Sequence, residues 1–534
     1  MLTKLSITNF KRFDAVEIEL GSPVVFVGPN NSGKTTALQA LSLWYLGLQR
    51  LSVWRIPSQA VLNRQDLFAS LVPDCAMLWR NQDWVHVPLS ITVAGITANR
   101  EWESELTFLL ENDESLTCQA ATVAGIPSEA AATRVAFLPP LSGLTDREFV
   151  KQAGEIDFLI GQGRTGELLR NLCFHVRSRP DGEQQWAAIT QSIERLFGVR
   201  LDEPRLVNAR SELTMGYTGR SERGLDISCS GRGMQQFLLL VAYLTLNPGS
   251  VLLLDEPDAH LEILLQRQVY RELARLAGET NSQIVLATHS EVLLNEAADR
   301  DVVVSFVGKP HRIDDRGTQT LKALKEIGFE QYYEAEQRGW VLYLEGSTDL
   351  SILQEFARTL NHPAQQDLDS PFVRYVENQP QKARDHFHGL REAKSDLLGI
   401  LICDRLDRSL QSTAVLDERM WRRREIENYL CQPETLMAFA ESNREAMQES
   451  ISLLVPPVAL RDSNDEWWRD TKATDAFLDR LFASFYSRLD LPNLMRKSNY
   501  HRLAAFVPLE SIDPEIAEVL DAIHRQALLA KPVT

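Results

Sequence analysis

The sequence lacks the segments that carry a chain into or across a membrane. It opens with Met1-Leu2-Thr3-Lys4-Leu5, where no basic stretch precedes an apolar one, so no signal peptide is indicated. The longest apolar run, from Phe237 to Leu246, is far shorter than the roughly 20 residues that span a bilayer. We therefore expect a cytoplasmic protein that makes no membrane contact.

Paired cysteines and an excess of positive charge are also missing. None of the six cysteines forms a Cys-x-x-Cys pair, which argues against a disulfide framework or a zinc site and favours buried free thiols. The 73 Asp and Glu residues outnumber the 56 Lys and Arg residues, and a net charge of -17 repels phosphates. Non-specific coating of nucleic acid is thereby excluded, and nucleic-acid contact requires a local basic patch.

The sequence does contain enough apolar residues for two or three domains, since 44% of its 534 residues are hydrophobic. Continuous apolar runs predict buried parallel strands, and helical patterns between them predict an α/β fold. The polar segment between Gly308 and Gly339 predicts a boundary between a first domain, residues 1–325, and a second domain, residues 335–534. An amphipathic stretch at about 148–200 predicts an inserted helical arm for dimerisation, with one apolar face formed by Leu168, Leu169, Leu172 and Val176.

A phosphate-binding loop follows the apolar run Pro23–Val27. Residues Gly28 to Thr35 read Gly-Pro-Asn-Asn-Ser-Gly-Lys-Thr and match the pattern GxxxxGK[ST] in full, between a strand and a helix. Glycines let backbone N–H groups approach phosphates, and the helix N-terminus adds the positive end of its dipole. We expect Lys34 to reach the β- and γ-phosphates of ATP and Thr35 to ligate Mg²⁺.

Two acids end a second apolar strand, Val251–Leu254. We expect Asp255 to hold Mg²⁺, directly or through water, and Glu256 to polarise the attacking water. The alternative is a buried strand that ends in two solvated acids. The continuation Pro257-Asp258-Ala259-His260-Leu261 disfavours that alternative, because it is typical of the loop after a Walker B strand.

Two further segments complete a pattern that resembles the ABC-type ATPases. Ser230-Gly231-Arg232-Gly233-Met234-Gln235 resembles the family signature, usually LSGGQ, and His289 resembles the switch histidine at the end of a strand. The signature departs from the family at Cys229, where Leu is usual, and at Arg232, which replaces a glycine. The resemblance covers about the first 300 residues, and the long gap before the signature is similar to SMC-like proteins.

This resemblance implies a composite site, in which ATP lies between the P-loop of one ATPase head and the signature of another, so that at least a dimer forms. It implies a catalytic part for His289 beside Glu256. Gln65 and Gln82 are both candidates for the Q-loop glutamine of the family. The implied nucleotide-binding residues are Asn30, Asn31, Ser32, Gly33, Lys34, Thr35, Thr36, Ser230, Gly231, Gly233 and Asp258.

Acidic residues gather in the second half of the chain, after the apolar strands Val341–Leu344 and Leu398–Cys403 and in one later segment. Acids at the carboxyl ends of adjacent parallel strands converge at one edge of a sheet. Hard oxygen ligands suit Mg²⁺ or Mn²⁺, and two such ions can activate water and stabilise the leaving oxygen of a phosphodiester. The predicted metal ligands here are Glu345, Asp349, Asp404, Asp407 and Glu427.

The acidic pattern resembles the Toprim domain, and the order ABC ATPase then Toprim resembles the OLD (overcoming lysogenization defect) family of nucleases. The resemblance places Glu345 on the invariant Toprim glutamate, Asp404 on the first acid of the DxD pair, and Glu427 on the acid of a later EIENY-like segment. It also implies that Lys497 steadies transition-state charge. Its further implications are a DNA substrate, defence against phage, and an operon-encoded defence partner as a candidate.

The sequence departs from the DxD pattern at Leu406, and the next acid is Asp407. Either Asp407 serves as the second acid of the pair through a local backbone adjustment, or one metal ion is held more weakly. A group of arginines beside the acids predicts phosphate contact or, equally well, internal pairing with surrounding acidic residues. These arginines are Arg405, Arg408, Arg422, Arg423 and Arg424.

Two functions follow from these patterns. The first is an ABC-type ATPase that regulates a metal-dependent Toprim endonuclease. The second is an ATP-driven scaffold or sensor whose Toprim domain is degenerate, a reading that Leu406 favours. A transport ATPase fits less well, because the acidic second domain has no place in one.

Overall fold

The computed structural model describes residues 1–53, 59–67, 72–121, 126–219, 224–298, 300–313, 327–407, 409–462 and 465–533. The chain divides into two compact units, unit 1 from Met1 to Gly317 and unit 2 from Thr318 to Thr534. The expected end of the first domain at residue 325 lies outside the described residues, and so does Arg408. The α/β class predicted from the sequence is confirmed in both units.

Unit 1 combines an antiparallel sheet, a parallel sheet and helices. Its strands are β1 Leu2–Phe10, β2 Phe13–Glu19, β3 Val24–Val27, β4 Gln59–Asn63, β5 Leu89–Thr97, β6 Arg100–Asn112, β7 Ser115–Ala120, β8 Val135–Leu138, β9 Glu148–Phe149, β10 Arg200–Leu201, β11 Arg205–Val207, β12 Glu212–Thr214, β13 Gly216–Thr218, β14 Leu225–Asp226, β15 Val251–Asp255, β16 Gln283–Thr288, β17 Val302–Ser305 and β18 His311–Arg312. Its α-helices are α1 Lys34–Val53, α2 Ser128–Ala131, α3 Ala153–Gly161, α4 Leu169–Arg177, α5 Gly182–Phe197, α6 Arg232–Leu246, α7 Ile263–Glu279 and α8 Glu291–Ala297.

The antiparallel sheet has the order β2-β1-β5-β6-β7-β4. In β5 every second side chain from Leu89 to Val93 is buried, the pattern of a sheet with one covered face. Helix α1 contributes to this cover: Trp44 stacks on Trp102 with ring centroids 6.3 Å apart, and its indole N–H donates to the carbonyl oxygen of Ser104 at 3.2 Å. The helix that begins at the P-loop is therefore fixed in the core.

The parallel sheet has the order β18-β17-β3-β16-β15-β8, and only the β17–β18 pair within it is antiparallel. Strands β3, β15 and β16 are buried along their whole length, as their continuous apolar runs predict. Strand β16 pairs with β3 on one side and with β15 on the other. The residues that follow β16 are therefore placed between those that follow β3 and those that follow β15.

The segment expected as an inserted arm contains α3, α4 and α5, and α4 packs against α6 through its buried apolar face. A buried ion pair fixes the start of this segment, because the Arg170 guanidinium lies 3.2 Å from the Glu148 carboxylate. Arg170 also reaches Asp226 at 2.6 Å. In this chain the segment is thus packed onto the helix that follows the signature.

Unit 2 is built on the sheet β20-β19-β21-β22, in which all neighbouring pairs are parallel. The strands are β19 Trp340–Leu344, β20 Val373–Tyr375, β21 Leu398–Cys403 and β22 Leu416–Met420. The α-helices are α9 Phe329–Arg338, α10 Ser347–Thr359, α11 Ala364–Leu368, α12 Pro380–Ala393, α13 Pro433–Ala440, α14 Arg444–Leu454, α15 Glu466–Asp470, α16 Asp479–Arg488 and α17 Pro514–Leu529. A π-helix spans Ala473–Leu478, and 3-10 helices span Ile426–Tyr429 and Lys497–Phe506.

One apolar core in unit 2 joins β19 and β21 to helices α10 and α17. Five of the six cysteines of the whole chain are buried, whereas Cys229 is exposed, so the expectation of buried thiols is wrong at that position. Cys229 is exposed because it precedes the surface turn that starts α6. None of the helices within the described ranges combines the length and the hydropathy needed to cross a membrane.

Candidate functional sites

The P-loop adopts a backbone that depends on its glycines. Gly28 has φ 157° and Gly33 has φ 108°, conformations that favour glycine, and a Cβ on Gly33 would lie 2.7 Å from the Phe13 ring. The Lys34 ammonium is buried and donates to the carbonyl oxygens of Gly28 at 2.7 Å and Pro29 at 2.8 Å. The loop thus holds its lysine inside the curve of its own backbone.

Two polar groups of the loop suit a phosphate ligand. The Ser32 hydroxyl is buried and has no hydrogen-bond partner within the described residues, which is costly unless a ligand or water satisfies it. Burial lowers the pKa of Lys34, and the charges of Glu256, Asp255 and Asp258 oppose this shift. Of the other predicted contacts, Asn30 and Asn31 are exposed, and Thr36 is half-buried in the first turn of α1.

The end of β15 lies directly beside the start of α1. The Thr35 hydroxyl donates to the Asp255 carboxylate, with both carboxylate oxygens 3.0 Å away. Burial raises the pKa of Asp255 to about 6, an effect that the Thr35 hydrogen bond opposes. These are the two groups predicted to share Mg²⁺, and the structure brings them into contact.

The turn after β15 presents Glu256 to the end of β16. Glu256 has φ 46°, and its backbone N–H donates to the Ala287 carbonyl oxygen at 2.9 Å. The His289 Nδ1 atom lies 3.5 Å from the Glu256 carboxylate, and both side chains reach solvent. The Thr288 hydroxyl donates to Asp258 at 2.7 Å, and burial raises the pKa of Asp258. The last residue of β16, Thr288, therefore contacts Asp258, and the next residue, His289, lies near Glu256.

The signature lies at the exposed start of α6. Gly231 is the N-terminal cap of that helix, and the Ser230 hydroxyl donates to the Ile227 carbonyl oxygen at 2.7 Å. The Gln235 side chain donates to the Ser230 carbonyl oxygen at 2.9 Å and fixes the turn from inside. A Cβ on Gly233 would lie 2.9 Å from the His260 carbonyl oxygen, so the loop after β15 packs closely here.

The two Q-loop candidates lie in different surroundings. Gln65 is next to Asp66, which pairs at 2.8 Å with Arg50 in the last turn of α1. At 1.5 Å per residue that turn is about 24 Å along the helix from the P-loop. Gln82 follows Trp79 in a turn whose neighbours hydrogen-bond to Asn9 and Lys11. Lys11 lies two residues before Phe13, and a Cβ on Gly33 would lie 2.7 Å from the Phe13 ring, so the segment bonded to this turn leads to the P-loop.

In unit 2 the ends of β19 and β21 bring Glu345 and Asp404 together. The Asn378 side-chain amide donates to the Glu345 carboxylate and, at 3.0 Å, to the Asp404 carboxylate. Its carbonyl oxygen accepts the backbone N–H of Asp404 at 2.9 Å. Burial, followed by hydrogen bonding and repulsion from Glu345, raises the pKa of Asp404 well above its usual range.

A second acidic pair lies next to the first. Asp349, in the first turn of α10, accepts the backbone N–H of Glu345 at 3.2 Å. Burial and then the charge of Glu345 raise the pKa of Asp349 to about 7. Burial and then the charge of Asp349 raise the pKa of Glu427 to about 8. The charge of Lys497 opposes both shifts, and its 3-10 helix packs along α10.

The predicted set of metal ligands is only partly reproduced. Asp407 is exposed to solvent, and Leu406 is half-buried after the end of β21. Within the described residues no three His, Cys, Asp or Glu side chains form a group arranged to hold a metal ion. Four of the predicted acids form two neighbouring pairs, with Asn378 against the first, whereas Asp407 is exposed. Their assignment as metal ligands stays a prediction.

Asn378 is the residue of this region that the sequence reasoning missed. It follows β20, a strand of three residues that was not predicted, and it has φ 55°. An Asn in the segment Val376-Glu377-Asn378-Gln379-Pro380 indicates a turn, since Asn tolerates this left-handed backbone. That local signal does not reveal the two carboxylates, which are distant in the sequence.

The arginines near these acids are mostly paired within unit 2. Arg405 lies 2.9 Å from Asp470, Arg422 lies 2.6 Å from Glu518, and Arg423 lies 3.0 Å from Asp513. The Arg423 guanidinium also lies over the Tyr429 ring, 4.7 Å from its centroid. Internal pairing therefore accounts for three of the five arginines, and Arg424 is exposed.

Comparison with known proteins matches segments of unit 1. The family described as "AAA domain, putative AbiEii toxin, Type IV TA system" matches residues 181–295, and the family "AAA ATPase domain" matches residues 1–45. The first stretch contains the signature, the Walker B acids and His289. The second contains the P-loop. These are the segments whose geometry is described above.

Curated relatives match over shorter stretches. The chain is 36% identical over 77 residues to the oligopeptide transport ATP-binding protein AppD of Bacillus subtilis, which is 14% of this chain and 23% of the relative. It is 28% identical over 137 residues to the spermidine/putrescine import ATP-binding protein PotA of Mycoplasma mycoides, or 26% of this chain and 34% of the relative. The chain thus spans about a quarter to a third of the length of these relatives.

Among solved structures, the SMC head bound to the C-winged helix domain of ScpA is 18% identical and covers 58% of this chain and 98% of its own, with a TM-score of 0.37. That score is too low to define the fold. The family matches and the P-loop geometry define the class: unit 1 holds an ATP-binding ATPase domain of the AAA/ABC type.

Proposed function

We propose that the chain binds and hydrolyses ATP at the P-loop and uses the cycle to control a metal-dependent nuclease in unit 2. In the ATP site, Lys34 binds the β- and γ-phosphates, and Thr35 and Asp255 hold Mg²⁺. Glu256 orients the attacking water, and His289 contacts the γ-phosphate region beside it. The contact of Thr35 with Asp255 supports the shared ion. The Ser32 hydroxyl, which has no partner in the part of the chain that the structure describes, supports a phosphate in the loop.

We propose that two chains complete each ATP site. Ser230 and Gly231 start α6 at the protein surface, where the helix N-terminus is free to face the phosphates of a nucleotide on another copy. Gly233 and Asp258 hold this surface in shape from within, through the close packing against His260 and the bond from Thr288. Gln82 is the proposed Q-loop glutamine.

The observation that carries the nuclease proposal is the convergence of Glu345, Asp349, Asp404 and Glu427 at one edge of a parallel sheet. Burial and mutual repulsion raise the pKa of three of these acids, so their charge is costly without a cation. Mg²⁺ is commonly held by one or two carboxylates and several waters, and the Glu345 and Asp404 pair fits that pattern. A bound ion would activate water and stabilise the leaving oxygen of a phosphodiester.

The proposed roles of the remaining residues follow from their positions. Asp349 and Glu427 bind a second, weaker ion or shape the first site. Lys497 offsets negative charge beside them, as its effect on both pKa values indicates. Asp407 is exposed and is assigned no ligand role in this proposal, which leaves the DxD position incomplete.

A cleavage assay tests this function. Supercoiled and linear DNA are incubated with the purified chain and Mn²⁺ or Mg²⁺, with and without ATP. We expect cleavage that Glu345→Ala abolishes and that Glu256→Gln changes in its response to ATP. The proposal fails if the wild-type chain and Glu345→Ala behave alike under every condition while ATP is still hydrolysed.

A second candidate function is an ATP-driven scaffold whose second unit no longer cleaves. The exposure of Asp407 and the lack of a three-ligand group within the described residues favour it. In this case the ATPase works normally and calorimetry detects no Mn²⁺ uptake that depends on Glu345. The resemblance to OLD proteins is the ground for proposing defence against phage. Plaque counts on cells that carry the wild-type chain, compared with cells that carry Lys34→Ala, test that role.

A further inference from the structure

The Asn378 side chain makes its hydrogen bonds to two residues, Glu345 and Asp404. Its NH₂ group donates to the carboxylates of Glu345 and Asp404, and its oxygen accepts the Asp404 backbone N–H. The orientation of the amide is set by the Asp404 backbone N–H, which only donates and therefore requires the Asn378 oxygen on its side. Three bonds thus connect Asn378 to the ends of β19 and β21.

The backbone places Asn378 there independently of its side chain. Val376 donates its N–H to the Leu344 carbonyl oxygen at 2.8 Å, and Glu377 donates to that of Glu345 at 3.3 Å. Glu377 and Asn378 then take left-handed conformations, with φ 50° and 55°, and the chain turns into α12. Asn tolerates such a backbone better than most residues, and Gln would carry the amide one carbon farther.

We propose that Asn378 is a positioning residue that holds Glu345 and Asp404 together in the metal-free chain and competes with a divalent cation for their oxygens. The inference rests on the nuclease proposal for this site. An amide N–H pair is the neutral group best suited to lie between two carboxylates, because it donates to both. A cation that enters between the two carboxylates on the side of the amide displaces at least one of its two donated hydrogen bonds, to Glu345 Oε2 or Asp404 Oδ2.

Two substitutions separate the two parts of this role. Asn378→Ala removes the amide, so the carboxylates lose their donor and the cation loses its competitor. Asn378→Asp keeps the shape but replaces the donor with a third carboxylate, which repels the pair and adds a ligand. Asn361 is the matched control, because it is an exposed asparagine of unit 2 with φ 49°.

The experiment measures metal affinity and melting temperature of the full chain. Isothermal calorimetry with MnCl₂ is expected to show binding roughly tenfold tighter in Asn378→Ala and tighter still in Asn378→Asp. Without metal, both variants are expected to melt about 5 °C lower than wild type. Asn361→Asp stays close to wild type, and Asn361→Ala shows only the smaller cost of alanine at a left-handed backbone. Unchanged or weaker Mn²⁺ binding by Asn378→Ala overturns the inference, and so does an unchanged metal-free melting temperature.

These readouts keep the two proposals apart. If wild type cleaves no nucleic acid but Asn378→Ala binds Mn²⁺ more tightly, the nuclease proposal fails and the role of Asn378 holds. If wild type cleaves with Mn²⁺ but Asn378→Ala binds the ion no better, the nuclease proposal holds and the role of Asn378 fails.

Discussion

The ATP site and the acidic site are assembled in different ways. The P-loop is one continuous segment in which glycine backbones and a helix start place Lys34 and Thr35. The acidic site takes side chains from four separate stretches, which contribute Glu345, Asn378, Asp404 and Glu427. A contiguous site depends on local backbone geometry, whereas a dispersed site depends on how strands and turns pack around it.

The two sites also differ in which charged side chains face each other. In the P-loop, Lys34 is held by carbonyl oxygens and faces three acids of its own unit. In unit 2 the acids face one another, and an amide rather than a cationic side chain lies between Glu345 and Asp404. The first site therefore contains its own cationic side chain, whereas among the described residues none is placed between Glu345 and Asp404.

The largest expected effect is on the contiguous site. Lys34→Ala is expected to lower ATP hydrolysis about 1000-fold, because no other cation of the loop can bind the phosphates. Phosphate release measures this rate, with the exposed Lys309→Ala as the control of the same residue type. Hydrolysis within tenfold of wild type would show that the P-loop lysine is dispensable.

A pair of isosteric substitutions sharpens the contrast in unit 2. Asp404→Asn is expected to lower Mn²⁺-dependent cleavage about 100-fold and to leave ATP hydrolysis unchanged, since a carboxylate of the proposed metal site is lost. Asp407→Asn is expected to change cleavage less than twofold, because Asp407 is exposed. Equal losses in the two variants, measured on the same DNA, would place Asp407 in the site after all.

A smaller effect is expected at the signature, which lies at the exposed start of α6. Ser230→Arg is expected to keep ATP binding but to lower hydrolysis about tenfold, because in the proposed two-chain site the signature serves the nucleotide of a partner copy. Ser128→Arg is the control, since Ser128 is an exposed serine of unit 1 with no part in the proposed site. Equilibrium nucleotide binding, hydrolysis and light scattering together check the prediction. Loss of ATP binding in Ser230→Arg would contradict it.

The smallest effect concerns a neutral histidine in the core of unit 2. His386 Nδ1 accepts the Tyr343 O–H at 2.8 Å, and its Nε2–H donates to Gln331. Burial, and then the charge of Arg374, lower the pKa of His386 from 6.5 to about 3. Between these values the folded chain binds fewer protons than the unfolded one. Stability is therefore full above pH 6.5 and falls below it, by up to about 1.4 kcal/mol per pH unit.

Replacing this histidine removes its share of the pH dependence. His386→Gln is expected to flatten the fall in melting temperature between pH 6.5 and 4.5, whereas the exposed His388→Gln is expected to leave it unchanged. Calorimetric scans at a series of pH values measure both. Parallel curves for wild type and His386→Gln would rule out the neutral histidine as the source.

Sequence predicted the contiguous site better than the dispersed one. Gly28 to Thr35, Asp255, Glu256 and His289 are local patterns at the ends of apolar strands, and the structure places Asp255 against Thr35 and His289 near Glu256. These residues meet because β16 lies between β3 and β15 in the sheet. That strand order depends on the whole sheet and cannot be predicted from any single segment.

In unit 2 the acids at the strand ends were recognisable, but their partners were not. Asn378 follows a strand of only three residues, and its carboxylate partners are 33 and 26 positions away. The choice between phosphate contact and internal pairing for Arg422 and Arg423 also depended on α17 and the residue before it, far along the chain. Long-range pairing of this kind leaves no periodic signal in the sequence.

Strand β16 links the ATP site mechanically to the first residues of the chain. At one end it leads into Thr288 and His289. At the other end the Gln283 amide exchanges two hydrogen bonds with the Leu2 backbone, at 2.7 and 2.8 Å, and donates a third to Gly21 at 2.7 Å. The two ends are about 17 Å apart, and an extended strand hardly stretches. One continuous strand therefore joins the residues beside Glu256 to the start of the antiparallel sheet, so the two regions share a rigid element.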